Sequence, residues 1–95
     1  MKQIIYKYDF NLNEHSYGDD GFVWKINIQK PNRLLKFAFQ YDVLVCWFKL
    51  DIDSIINETR TFHLFMTGRT FNDYYNYIDT VMIHDYSFVL HIFEE

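Results

Sequence analysis

Cysteine, proline and glycine are all scarce in this 95-residue chain, which has one, one and three of them. The single cysteine, Cys46, excludes an internal disulfide framework and any zinc cluster built on cysteines. It lies in the apolar run Val43-Leu44-Val45-Cys46-Trp47-Phe48 and reads as a buried, unreactive thiol. Three isolated glycines make no phosphate-cradling loop, and no metalloprotease, kinase or hydrolase motif occurs. No apolar run is long enough to span a bilayer. The start, Met1-Lys2-Gln3-Ile4-Ile5-Tyr6-Lys7, meets a charge before an apolar region forms, unlike a secretory signal. The cytoplasm is therefore the expected compartment, with no membrane partner. Positive charge is also short: nine Lys and Arg stand against thirteen Asp and Glu, a net charge of −4. That balance argues against a generic nucleic-acid binder, while the acids are too dispersed to mimic DNA.

Aromatic residues are the abundant class, with two tryptophans, eight tyrosines and ten phenylalanines. Most sit in short runs of β pattern. So much rigid apolar surface predicts a tight β core, with rings left over for a partner. Alternation predicts strands over Gln3 to Phe10, Phe22 to Gln29, Arg33 to Gln40, Glu58 to Phe65, Tyr77 to His84 and Ser87 to Phe93. Val43 to Asp51 reads as a further strand covered on both faces. The polar stretch Asn11 to Gly21 reads as a loop, Lys30-Pro31-Asn32 as a turn, and Asp85-Tyr86 as a hairpin connection. A helical turn fits Ile52 to Asn57. Thr70 and Asp73 have the spacing of a weak capping box, so a short helix is expected over Phe71 to Asn76. Residues 1–95 thus form one all-β, or β-dominated α+β, domain: a compact antiparallel sandwich or small barrel of about seven strands with at most one short helix.

The order of several short segments carries a likeness. These are Ile5-Tyr6-Lys7-Tyr8, Lys30-Pro31, Leu34 to Gln40 followed by Trp47, Glu58-Thr59-Arg60-Thr61-Phe62, Thr67-Gly68, Tyr77-Ile78 with Thr80, and Phe88-Val89-Leu90-His91-Ile92-Phe93-Glu94. Together they resemble a family of short uncharacterised proteins found mainly in bacteriophages and prophages. The chain departs from that pattern twice. It has Met66-Thr67-Gly68-Arg69 where the family usually has Gly-Thr-Gly-His, and Tyr77-Ile78-Asp79-Thr80 where the family has Tyr-Ile-Gly-Thr. If the family's histidine has a role, this chain either lacks it or fills it with Arg69. The resemblance implies a phage accessory protein that binds and disables a host component, without saying which.

The side chains that carry chemistry give no catalytic constellation, so no enzyme activity, cofactor or metal is expected. His63 and His91 lie within apolar strands and read as hydrogen-bonded core or rim histidines; His84 and His91 are too far apart across the hairpin to share a metal. The pairs Asp19-Asp20, Asp51 with Asp53, and Glu94-Glu95 read as solvated charge. Arg60 shares the apolar register of Phe62 and Leu64, which calls for a carboxylate such as Glu58 or Asp51, or for a ligand. With Thr67, Gly68 and Arg69 it makes a candidate ligand or anion contact. Arg69, Phe71, Tyr74, Tyr75 and Tyr77 are the first candidates for a partner surface, since tyrosines and amides are common at interfaces; alternatively these rings close one end of the fold. Lys25, Lys30, Arg33 and Lys36 fall within twelve positions beside Trp24, Phe37 and Phe39, a pattern open to single-stranded nucleic acid or to protection of a strand edge.

Three functions follow in order of expectation. The first is steric inhibition of a host protein or protein–nucleic-acid complex, an anti-phage defence component such as a CRISPR effector among them. The second is sequestration of a nucleotide-like small ligand, and the third weak single-strand binding. A symmetric homodimer is expected separately, from exposed strand edges and surplus aromatic surface.

Overall fold

The computed structural model describes residues 2–41, 43–83 and 88–95; the expected connection at Asp85-Tyr86, with His84, lies outside them. Seven strands form: β1 (Gln3–Phe10), β2 (Phe22–Gln29), β3 (Asn32–Gln40), β4 (Val43–Asp51), β5 (Asn57–Met66), β6 (Asn76–Met82) and β7 (Val89–Glu94). They build two antiparallel sheets, one in the order β1-β4-β3 and the other β2-β5-β7-β6. The sheets remain separate, so the architecture is a sandwich and not a closed barrel. The chain changes sheet three times, between β1 and β2, between β4 and β5, and between β2 and β3 at the Lys30–Pro31 turn, whose peptide bond is cis.

Period-two patterning decides which side chains enter the space between the sheets. In β2, Phe22, Trp24, Ile26 and Ile28 are buried while Val23, Lys25 and Asn27 are exposed. From the facing sheet come Phe10, Leu44, Cys46, Phe48, Leu50 and Phe37, meeting Phe62, Leu64, Leu90 and Ile92. The rings meet mostly edge to face, as their quadrupoles favour: Phe37 and Phe62 lie 5.2 Å apart at 79°. Phenylalanine supplies most of the buried aromatic volume; tyrosine supplies most of the exposed rings, including Tyr41 and Tyr74. Cys46 is fully enclosed. Burial pushes its thiol up to about 12, against the pull of Arg60 and of the Tyr8 backbone.

Three local expectations give way. β4 is central in its sheet but is not covered on both faces, since Lys49 and part of Trp47 stay open on the outer side. The segment 71–75 contains no helix. A lone six-residue helix cannot offset its nucleation cost, and the rings of Phe71 and Tyr75 instead stack on the four-stranded sheet. Ile52 and Asp53 form a turn without a helical residue, with Asp51 Oδ1 accepting from the Asp53 amide at 3.0 Å. Conversely, the loop after β1 holds a 3-10 turn, Leu12–Glu14, capped by Asn11 through the Asn13 amide.

Candidate functional site

The outer face of the four-stranded sheet is covered by its own chain. Outward residues of β5 and β7 put His63, Phe65, His91 and Phe93 on that face, and segment 67–75 folds back over them. Phe71 stacks on Phe65 at 4.1 Å and Tyr75 on His63 at 3.9 Å. Beneath this cover His63 is only 3 % exposed. Its Nδ1 lies 2.9 Å from the Asp20 carbonyl oxygen and its Nε2 2.8 Å from Glu95 Oε2. His91 is held between hydroxyls, with Nε2 2.8 Å from Thr67 Oγ1 and Nδ1 3.1 Å from Thr80 Oγ1, which in turn meets the Tyr77 hydroxyl. Both histidines are therefore hydrogen-bonded. Thr67–His91–Thr80 has the spacing of a nucleophile, base and orienting group, but a hydroxyl stands where a carboxylate would stabilise an imidazolium.

The candidate partner residues divide. Phe71 and Tyr75 spend their faces on the sheet, whereas Tyr74 is 80 % exposed and Tyr77 more than half exposed. Arg69 lies over the Tyr17 ring, 5.5 Å from its centroid.

Arg60 points between the sheets and is held by Glu94, not by the expected Glu58 or Asp51. The pair is bidentate, with Nε and Nη2 donating to the two carboxylate oxygens at 2.7 Å each. Nη1 donates to Asn32 Oδ1 at 3.0 Å, and Asn32 Nδ2 donates to Glu58 and to the Gln29 carbonyl. The guanidinium also sits over Phe48 and Phe62. Glu94 and burial act in opposite senses on Arg60; Glu94 prevails and strengthens its hold on the proton. This network joins β5 and β7 of one sheet to β3 of the other. It corrects the reading of Glu94 as solvated charge, because the pairing of β5 with β7 brings its carboxylate to Arg60, whereas Glu95 stays largely exposed while one of its oxygens meets His63. Arg60 and Thr67 stand seven residues apart along one strand direction, about 23 Å, so Arg60 shares no site with Thr67, Gly68 and Arg69.

The basic run is also distributed by the topology. Lys25 points outward from the four-stranded sheet and Lys30 lies in the connecting turn. Arg33 and Lys36 join the outer face of the three-stranded sheet, where strand pairing adds two lysines remote in sequence. Trp47, on central β4, is opposed by Lys7 on β1 and Lys36 on β3; Lys49 is opposed by Ile5 and Arg33. Lys7 reaches across β4 to Gln40 at 3.0 Å, and Val45 is buried beneath that arm. Arg33, Lys36 and Lys49 form no ion pair among the described residues. A cavity of about 430 Å³ lies at the end of this face, lined by Gln3, Pro31, Asn32, Arg33 and Lys49.

Apolar exposure concentrates near the same end, in the loop joining β4 to β5. Ile55 is 93 % and Ile56 62 % exposed, with Ile52, Ile5 and Tyr6 also open to water. The loop is tied down: Ser54 Oγ donates to the Lys30 carbonyl, and the Lys30 amide donates to the Ile56 carbonyl at 2.8 Å. A second cleft of about 250 Å³, lined by Ile4, Tyr6, Tyr8, Gln29, Leu50 and Ile52, opens beside it. Sequence pattern missed this surface, since isoleucines in Ile52-Asp53-Ser54-Ile55-Ile56 show no strand alternation that would mark them as outward. Among the described residues no group of three or more His, Cys, Asp or Glu is placed to hold a metal. No helix among them is long and apolar enough to cross a membrane.

A family model described as a domain of unknown function, DUF7352, matches residues 1–95. The chain belongs to that family. Membership in DUF7352 confirms an uncharacterised family over the whole length and carries no activity with it. No curated protein and no solved structure matches the chain.

Proposed function

We propose that this DUF7352 chain is a non-catalytic interaction protein that binds a macromolecule and acts by covering it. The reading rests on one observation above all: Ile55 and Ile56 stand in water on a loop whose backbone is pinned to the Lys30 turn. Exposed apolar side chains on a rigid support lose little entropy on docking and gain transfer free energy when covered. Ile52, Ile5 and Tyr6 extend the surface around them. In the setting that the phage-family resemblance implies, the partner is a host protein or protein–nucleic-acid complex, and a defence component such as a CRISPR effector is the narrower target class.

The test is retention of a host protein by the immobilised chain, repeated with Ile55→Asp and Ile56→Asp. A stoichiometric partner retained by the parent and lost from both variants is expected. Retention that survives both substitutions, or no stoichiometric partner, removes the proposal. Nuclease assays with a purified CRISPR effector address the narrower class, where inhibition by the parent and not by Ile55→Asp is the expected result. A second copy is the competing occupant of the same surface, because β1 and β2 each leave one edge unpaired. Sedimentation equilibrium separates the two: a dimer that Ile55→Asp dissociates would make this the self-association surface.

A further inference from the structure

The outer face of the three-stranded sheet carries an arrangement that docking through the isoleucine loop does not use. Arg33 and Lys49 are direct cross-strand partners. Like charges so placed repel and destabilise a sheet, and this occurs in a chain with thirteen acidic residues available and a net charge of −4. Neither cation forms an ion pair among the described residues. Asp51, the nearest acid along β4, accepts from the Asp53 amide through Oδ1 and keeps its charge, but forms an ion pair with neither cation among the described residues. Both cations line one cavity of about 430 Å³, with the Gln3 amide and the Pro31 ring completing its walls. The floor is rigid, because the Asn32 side chain is fixed by Gln29, Glu58 and Arg60.

We propose that the Arg33–Lys49 cavity binds a phosphate-bearing ligand of nucleotide size, presented as a free nucleotide or as the backbone of a single strand. A phosphate oxygen array suits the planar donor fork of arginine and the point charge of lysine together. The groove is open to solvent and its volume exceeds what a bare ion needs, leaving room for the rest of a nucleotide beside the phosphate. Pro31 offers an apolar wall for a sugar or base. The next outward position along β4 is Trp47, with Lys36 and Lys7 on either side, so a strand held at Arg33 and Lys49 would meet a stacking ring and further cations. The proposal does not rest on the docking reading and survives its failure.

Isothermal titration calorimetry with inorganic phosphate, adenosine monophosphate and a short oligothymidylate tests it, on the parent, Arg33→Gln, Lys49→Gln and the control Lys25→Gln. Saturable binding to the parent and the control is expected, with affinity reduced by about tenfold or more in each site variant. The thermal midpoints of unliganded Arg33→Gln and Lys49→Gln should equal or exceed that of the parent, since each relieves a repulsion; cations with a structural role would lower them. Oligothymidylate binding that is tighter than mononucleotide binding and weakens steeply with salt assigns the strand. Mononucleotide binding of equal or greater affinity assigns the free ligand. The proposal fails if none of the three probes binds saturably, or if Arg33→Gln and Lys49→Gln bind as tightly as the parent.

Discussion

The two outer faces of the sandwich receive opposite treatment from the same chain. On the four-stranded sheet, segment 67–75 returns to lay Phe71 and Tyr75 on the outward rings, and His63 and His91 find partners at both nitrogens. On the three-stranded sheet no described segment returns, three cations lack ion-pair partners among the described residues, and two of them repel across a strand pair. The covered face has its histidines and most of its inner rings satisfied and keeps Tyr74 and Tyr77 well exposed, whereas the bare face leaves its cations without ion-pair partners among the described residues.

The largest test cuts beneath both faces. Glu94→Ala strands Arg60 between the sheets and should cost about 3–5 kcal/mol in urea unfolding; a loss under about 1 kcal/mol, the range of an exposed pair, would show that the sheets do not depend on this clamp. Gly21→Ala strikes the covered face. Gly21 has φ of +72°, and a Cβ there would overlap the Leu64 carbonyl oxygen and press on Phe65. A loss of about 2–4 kcal/mol is expected, measured the same way. Phe71→Ala lifts part of the cover and should cost about 1–2 kcal/mol while raising binding of an apolar dye, as Phe65 and Phe93 become accessible.

Cys46, in the interior that both faces share, gives a reference that neither face should move. The folded thiol keeps its proton up to about 12, so above the ordinary thiol value the unfolded chain loses a proton that the folded chain retains. Stability should therefore fall as pH rises through this window, by about 1 kcal/mol per pH unit from this group, and the Cys46→Ala slope should be shallower by that amount. The smallest effect belongs to the bare face. Lys49→Glu turns a repulsive pair with Arg33 into an attractive one and should raise stability by about 0.5–1 kcal/mol in thermal melts. If it lowers stability, the two faces are less different than their contacts imply.

Strand positions were legible because alternation of Phe22, Trp24, Ile26 and Ile28 against Val23, Lys25 and Asn27 is a local property of chain and sheet. Arg60 could be recognised as an inward arginine for the same reason. Its partner could not, because Glu94 reaches it only through the pairing of β5 with β7, thirty-four residues away along the chain. Likewise Arg33 and Lys36 stood out as a basic run, but Lys7 and Lys49 join them only once β4 is known to lie between β1 and β3. The Thr70–Asp73 spacing suggested a helix, and non-local stacking of Phe71 and Tyr75 overrode it. Isoleucines in the β4–β5 loop were invisible as surface, since hydrophobic pattern identifies what prefers burial and not what is denied it.

The two tryptophans have come to lie in different environments, Trp24 in the sealed interior and Trp47 on the bare face. They make the molecule its own two-channel optical probe: emission from Trp24 should shift when the chain unfolds, and emission from Trp47 should change whenever something settles on the open sheet. Replacing either indole with phenylalanine would leave a reporter for one event that is blind to the other.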